Sequence, residues 1–302
     1  MDAPRQKVWS DITYFSESLR IAGHLYVPEG WQPGDPPRPG IVTLAGYSGM
    51  KDVYGMDVPH RLWREGYFVL AIDYRGFGSS EGERGRQRPL EQAQDVHDAL
   101  TFLETVDGVD SDRLGIYGTS FGGGNAIWVA AFDERVKAVV SSVMVSDGLR
   151  WMRSMRRPWE FAKFEREVRE AARARVLTGK DETIPLFELM PPDPHTRSVL
   201  EAHHQKDERY VSDYDLESAE TCFRYKPEWV ASRISPRAAM IIYAENDELC
   251  SDEPLHCYAA LGEPKKLVKL PKAQHYESYF FVNPQLHEIG MSEAVAWFGQ
   301  HL

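Results

Sequence analysis

The chain has 302 residues, of which 42% are hydrophobic and 27% charged, so it can bury a large core as a soluble globular protein. Its net charge of −11 argues against nucleic acids and anionic membranes as partners, and no run of about 18 apolar residues could span a bilayer. Residues 1–7 carry no apolar signal-peptide region, and three cysteines without metal-ligand spacing fit a reducing compartment, so we expect a cytoplasmic protein.

Strand and helix patterns alternate through the first half of the chain. In chain order we predict an antiparallel hairpin of residues 8–15 and 19–27, a loop at 28–40, a strand at 41–44, a helix at 58–65, a strand at 68–72, a helix at 89–106, and strands at 113–117 and 136–145. Short apolar strands separated by helices indicate a parallel sheet that is buried on both faces.

This alternation stops after Asp147. Residues 149–225 show amphipathic helical segments and proline-rich turns, without the pattern of a buried strand. Strand patterns return at 238–244 and 265–270, and an amphipathic helix is predicted at 291–302. The sequence therefore predicts an α/β core of residues 1–148 and 226–302, with residues 149–225 inserted as a helical cap.

The segment Gly118-Thr119-Ser120-Phe121-Gly122 lies between a predicted strand and a small-residue helix at 122–131. A Gly-x-Ser-x-Gly sequence in this strand–turn–helix context is typical of a nucleophile elbow. The turn exposes the serine hydroxyl, and the backbone N–H groups at the helix start can stabilise an oxyanion. The alternative is a glycine-rich turn that only packs a helix on a sheet. We interpret Ser120 as the nucleophile.

A serine nucleophile needs a base and an acid that orients the base. Among the ten histidines we predict His275 as the base, because it lies in the loop that follows the last predicted strand, before the last predicted helix. Asp247 follows the preceding strand and is the predicted acid. The chain order Ser120, Asp247, His275 is that of α/β-hydrolases. Three other carboxylates of the same acidic loop remain alternatives for the acid: Glu245, Glu248 and Asp252.

With these motifs the chain resembles the α/β-hydrolase superfamily over nearly its full length outside the cap. It is similar to serine hydrolases of the esterase, dienelactone hydrolase and peptidase type. The segment that supports this most directly is Asp73-Tyr74-Arg75-Gly76-Phe77-Gly78-Ser79-Ser80, which matches the family's Asp-x-Arg-Gly-x-Gly-x-Ser. The resemblance implies an α/β-hydrolase fold, with a mostly parallel doubly wound sheet, and a reaction that needs no cofactor and no metal.

The resemblance also implies an oxyanion hole made by the backbone N–H groups of Tyr47 and Phe121. Tyr47 lies in the loop that follows the strand at 41–44. Ala45 stands where the family usually has a histidine, but Gly46 and the following N–H donor are kept. In some related esterases and peptidases a tyrosine of this loop also donates its hydroxyl, and Tyr47 could do so.

The expected reaction is hydrolysis of a small-molecule carboxylic ester through an acyl-enzyme intermediate, which is the commonest use of this fold. Amide or peptide hydrolysis and cleavage of a carbon–carbon bond remain alternatives on the same triad. A non-catalytic, hydrolase-like ligand receptor is a further alternative. The sequence leaves the oligomeric state open, a homo-oligomer included.

An aromatic and methionine set near the start of the predicted cap has a spacing compatible with one helical face. Trp151, Met155 and Trp159 represent it. Such a face can pack the cap onto the core, and it can also line an apolar pocket above Ser120. We therefore predict these three side chains as substrate-binding residues.

Overall fold

The computed structural model describes residues 7–53 and 56–302. Residues 1–6, part of the segment in which the sequence shows no signal-peptide pattern, lie outside the described residues. The strands, in chain order, are β1 (Ser10–Ser16), β2 (Leu19–Tyr26), β3 (Arg38–Leu44), β4 (Phe68–Ile72), β5 (Val109–Thr119), β6 (Val136–Ser142), β7 (Thr183–Pro185), β8 (Asp213–Asp215), β9 (Ala238–Ala244) and β10 (Lys265–Leu270). Eight of them form one sheet in the order β1-β2-β4-β3-β5-β6-β9-β10. β2 pairs antiparallel with β1 and β4, and the remaining pairs are parallel.

Helices cover both faces of this sheet. In chain order, the helices of the described residues are α1 (Asp57–Arg64), α2 (Pro89–Glu104), α3 (Phe121–Phe132), α4 (Gly148–Ser154), α5 (Pro158–Thr178), α6 (Leu186–Leu189), α7 (Pro194–Val199), α8 (Glu217–Phe223), α9 (Glu253–Ala260) and α10 (Pro284–His301). A π-helical segment lies at Leu200–His204, and 3₁₀ segments lie at Pro227–Trp229, Ala231–Ile234 and His275–Ser278. Side chains of α2 and α3 belong to one hydrophobic cluster, and side chains of α1 and α10 belong to a second. The predicted doubly wound, mostly parallel sheet is confirmed. Within the described residues, no helix is both long enough and apolar enough to cross a membrane.

Several element boundaries differ from the predicted ones, and three of the differences have a clear local reason. β3 begins at Arg38, inside the predicted loop, where it pairs with the start of β5. β6 ends at Ser142 because Val143 has a φ of 45°, which strand geometry does not allow. α10 begins at Pro284, seven residues earlier than predicted, because the Asn283 side chain caps its first turn and proline suits the first helical position.

The segment between β6 and β9 contains α4 to α8 and a two-stranded antiparallel ribbon of β7 and β8. The sequence patterns did not predict these two strands, in which Tyr214 of β8 is the buried residue. Each strand has only three residues, which is too short to show a period of two in the sequence.

The sheet topology decides where the functional loops meet. β3, β5, β9 and β10 are parallel, so their carboxyl ends lie at one edge of the sheet. Tyr47, Ser120, Asp247 and His275 follow these four strands in that order. In parallel α/β sheets this edge is where ligands bind.

Candidate active site

Ser120 occupies the sharp turn between β5 and α3. Its backbone has φ 55° and ψ −125°, a conformation that is strained for a residue with a side chain. The turn requires glycine on both sides. A Cβ at Gly118 would lie 2.2 Å from the Gly122 carbonyl oxygen, and a Cβ at Gly122 would lie 2.2 Å from the Ala45 carbonyl oxygen. Strand, helix and the loop after β3 therefore meet around Ser120.

The three residues predicted as a triad form one hydrogen-bonded chain. The distance from His275 Nδ1 to Asp247 Oδ2 is 2.7 Å, and that from His275 Nε2 to Ser120 Oγ is 3.1 Å. Asp247 Oδ1 also accepts the backbone N–H groups of Leu249 and Cys250 at 2.8 and 2.7 Å. These bonds fix the carboxylate, which favours the proton on Nδ1 and leaves Nε2 free to accept the serine proton.

The structure does not bring the alternative carboxylates to His275. Glu245 is exposed, and its hydrogen bond with Lys269 holds its pKa below the usual range. Glu248 and Asp252 are exposed. Asp247, by contrast, is only 6% exposed and contacts the imidazole directly.

We expect Asp247→Asn to lower kcat/KM by about 10²-fold or more, because the amide no longer stabilises the imidazolium or fixes its tautomer. Glu245→Gln and Glu248→Gln are the matched controls and should keep activity within about threefold, since both side chains are exposed. Steady-state kinetics on one ester compare the three variants. A larger loss in either control than in Asp247→Asn would place the acid elsewhere in the loop.

The region predicted as the oxyanion hole lies against Ser120. A Cβ at Gly46 would lie 3.0 Å from Ser120 Cβ. Phe121 begins α3, so its N–H has no acceptor within the helix and is available at the positive end of the helix dipole. The Tyr47 ring meets the Phe121 ring edge-on, with 5.3 Å between their centroids. Both predicted donors are therefore carried by residues next to the nucleophile.

The Tyr47 side chain carries a hydroxyl group into a buried position. The residue is 7% exposed, and within the described part of the chain its hydroxyl has no hydrogen-bond partner. Burial raises the pKa of Tyr47 well above its ordinary value, so the hydroxyl stays protonated and can donate. A buried hydroxyl without a partner can donate a hydrogen bond to an acceptor atom of a bound molecule.

Two aromatic residues of the segment between β6 and β9 pack against Tyr47. Its ring centroid lies 5.8 Å from that of Trp151 in α4 and 5.5 Å from that of Tyr214 in β8. The Trp151 ring also lies 5.9 Å from that of Phe121, and its indole N–H donates to the Leu249 carbonyl at 3.0 Å. Trp151 thus packs against both residues predicted to form the oxyanion hole and is hydrogen-bonded to the loop that carries Asp247.

The other two predicted substrate-binding residues are placed differently. Met155 ends α4 and is partly buried against the same hydrophobic cluster as Trp151. Trp159 is 65% exposed, and the Arg157 guanidinium lies 5.6 Å from its ring centroid. The structure brings Trp151, but not Trp159, to the oxyanion region.

Two residues beside the site, Tyr214 and Cys250, were not among the predicted site residues. The Cys250 thiol is fully buried and interacts with the Ser120 hydroxyl. Burial raises the pKa of this thiol well above its ordinary value, so it remains protonated and is a poor nucleophile. Its place three residues after Asp247 in the same loop is the sequence signal that could have located it.

Two groups of side chains among the described residues lie close enough together to share a cation. One of them, Asp181, Asp215 and Glu217, is already neutralised by ion pairs with Arg88 and Arg175. The other group consists of Asp247, Cys250 and His275, inside the site.

Comparisons with known proteins agree with the fold. A family model described as X-Pro dipeptidyl-peptidase (S15 family) matches residues 17–277. The chain is 27% identical over 292 residues to the "Uncharacterized 31.7 kDa protein in traX-finO intergenic region" of Escherichia coli, covering 96% of this chain and 99% of that protein. It is 31% identical over 138 residues to the thiohydrolase aneE of Aspergillus aculeatus, covering 45% and 42% of the two chains.

A third relative is known both by sequence and by structure. The polyketide transferase grgF of a Penicillium species is 27% identical over 282 residues, which is 90% of each chain. Its crystal structure, described as an alpha/beta hydrolase, superposes with a TM-score of 0.80 over 97% of this chain and 98% of that one, at 22% identity. The predicted α/β-hydrolase fold is thereby confirmed.

Proposed function

This chain belongs to the S15 family, whose model spans residues 17–277, and is an α/β-hydrolase; on that premise we propose that it cleaves small carboxylic esters through an acyl-enzyme on Ser120. The observation that carries the proposal is the hydrogen-bonded chain from Asp247 through His275 to Ser120, at 2.7 and 3.1 Å. A serine that only packed a turn would not need a buried imidazole and carboxylate behind it.

The reaction follows from these positions. His275 Nε2 accepts the Ser120 proton as Oγ attacks the ester carbonyl, and Asp247 stabilises the imidazolium that forms. The backbone N–H groups of Tyr47 and Phe121 hold the oxyanion of the tetrahedral intermediate. His275 then protonates the leaving alcohol, and water repeats the sequence on the acyl-enzyme. These steps use side chains and backbone groups of this chain.

An activity panel tests the substrate class. We expect turnover of p-nitrophenyl esters to exceed that of matched aryl amides and 1,3-diketones by about 10²-fold or more, because an alkoxide or phenoxide leaves more easily than an amine or a carbanion. Turnover of an aryl amide above that of the matching ester would replace the proposal by the second candidate, amide or peptide hydrolysis. The observation that favours this second candidate is the S15 family model.

A fluorophosphonate probe separates an enzyme from a non-catalytic receptor, because it labels only an activated serine. We expect labelling of the wild-type chain at Ser120. Absence of labelling under conditions in which a known serine hydrolase is labelled would favour the receptor.

The unpartnered Tyr47 hydroxyl supports its role as a third oxyanion donor. We expect Tyr47→Phe to lower kcat by about 10²-fold, the usual cost of losing one such donor, and to leave KM within about threefold. Tyr214→Phe is the matched control, because it also removes a fully buried hydroxyl, one that interacts with the Ser48 side chain. Equal effects of the two variants would mean that the Tyr47 hydroxyl acts through packing alone.

We further propose that residues 149–225 act as a cap that shapes the acyl or alcohol pocket, with Trp151 as its main contact. Trp151→Phe should change the ratio of kcat/KM between short, long and aromatic esters by a factor equivalent to about 1–3 kcal/mol. Trp159→Phe is the matched control and should keep the wild-type ratios, because this ring is 65% exposed. A Trp151→Phe variant that loses thermal stability but keeps the ratios would show that Trp151 only packs the cap onto the core.

A further inference from the structure

Cys250 carries a fully buried thiol beside Ser120 that the proposed reaction does not use. Its sulfur, one nitrogen of His275 and one carboxylate oxygen of Asp247 all lie within 4.8 Å of one another. The three residues are 0%, 2% and 6% exposed. A thiol, an imidazole and a carboxylate are the three donor types with which proteins bind zinc.

We propose that these three side chains form an inhibitory site for a thiophilic divalent cation, with Zn²⁺ as the physiological candidate. In a tetrahedral zinc site with bonds of about 2.0–2.3 Å, the ligand atoms lie about 3.3–3.7 Å apart. The longest of these distances, at most 4.8 Å, would have to shorten by about 1 Å to reach that geometry, and the ion would replace the hydrogen bond between His275 Nδ1 and Asp247 Oδ2. A water molecule completes the four ligands.

The binding step balances without any oxidant or reductant. The metal forms one bond each to sulfur, nitrogen and oxygen, and the Cys250 S–H proton leaves to solvent. The imidazole stays neutral, with its one proton on the ring nitrogen that does not bind the metal; where that nitrogen is Nε2, the proton moves there from Nδ1. The three ligands do not form a short metal-binding motif in the sequence, because Asp247 and Cys250 follow β9 whereas His275 follows β10.

Occupation of the site removes both partners that activate Ser120. His275 can no longer accept the serine proton, and Asp247 no longer supports it. That zinc inhibits the enzyme rests on the proposed function, whereas binding of the metal does not. The two are therefore measured separately.

Equilibrium dialysis of the full chain against Zn²⁺ alone tests the binding. We expect wild type to take up one zinc ion per chain, and Cys250→Ala to bind it about 10²-fold more weakly. Cys257→Ala is the matched control, because Cys257 is equally buried but lies in α9. Cys250→Ser replaces the alanine variant if that variant does not fold. With Cd²⁺ as the probe, near-ultraviolet thiolate-to-metal absorption should appear in wild type and Cys257→Ala but not in Cys250→Ala.

Inhibition of ester hydrolysis by Zn²⁺ follows the same ranking, with each variant compared with its own metal-free rate. Wild type and Cys257→Ala should lose activity at zinc concentrations about 10²-fold lower than those that inhibit Cys250→Ala. Removal of the zinc by a chelator should restore the activity. Equal zinc uptake by wild type and Cys250→Ala, or no uptake by wild type, would overturn the site. Zinc and cadmium binding at Cys250 in a chain without any hydrolase activity would overturn the proposed function and leave the metal site standing.

Discussion

Ser120→Ala is expected to lower kcat/KM for any ester that the wild type cleaves by about 10³-fold or more. The reason is chemical, since alanine has no oxygen to form the acyl-enzyme, while the oxyanion donors and the binding surface remain. The backbone at this position has φ 55°, which alanine and serine find equally strained, so the fold should be retained. Steady-state kinetics and a thermal unfolding curve of the two proteins measure both expectations.

Fluorophosphonate labelling gives the same experiment a second readout. The probe should attach to wild type and fail on Ser120→Ala, with the adduct located by peptide mass spectrometry. If Ser120→Ala folds normally and still turns over more than a few per cent as fast as wild type, another residue is the nucleophile.

His275→Ala should be as damaging as the loss of the serine, about 10³-fold or more, because members of a triad act as a unit. Without the imidazole, Ser120 loses the acceptor 3.1 Å from its hydroxyl and the leaving group loses its proton donor. His256→Ala is the matched control, since this histidine lies exposed in α9. The measurement is kcat/KM for one ester in the two variants and in wild type.

The double variant Ser120→Ala/His275→Ala makes this prediction sharper. If the two residues work in one step, removing both should cost little more than removing either one, so the effects are far from additive. Losses that multiply would mean that His275 serves the reaction independently of Ser120, and the hydrogen-bonded chain would need another explanation.

Local patterns in the sequence were sufficient to predict the core of this fold. Apolar strands alternating with helices predicted the doubly wound sheet, and the elbow segment placed Ser120 between a strand and a helix. Patterns failed where tertiary contacts define an element. Each strand of the ribbon of β7 and β8 has only three residues, too few for a sequence pattern. The ribbon packs on the core through Tyr214, whose ring centroid lies 6.1 Å from that of Phe77.

The sequence by itself predicted Ser120 and His275, because a strand–turn–helix motif and a position after the last strand are local patterns, and it left the acid open among four carboxylates of one loop. Ser120, Asp247 and His275 each follow a parallel strand of the one sheet, and the carboxyl ends of these strands share one edge. What only the tertiary structure decided is the rest of the site. Cys250 lies beside the triad, and Trp151 lies on the oxyanion region while Trp159 faces solvent, although one helical spacing predicted the same role for both tryptophans. The physical reason is that periodicity identifies side chains that share a face, whereas the residues opposite that face come from loops distant in sequence.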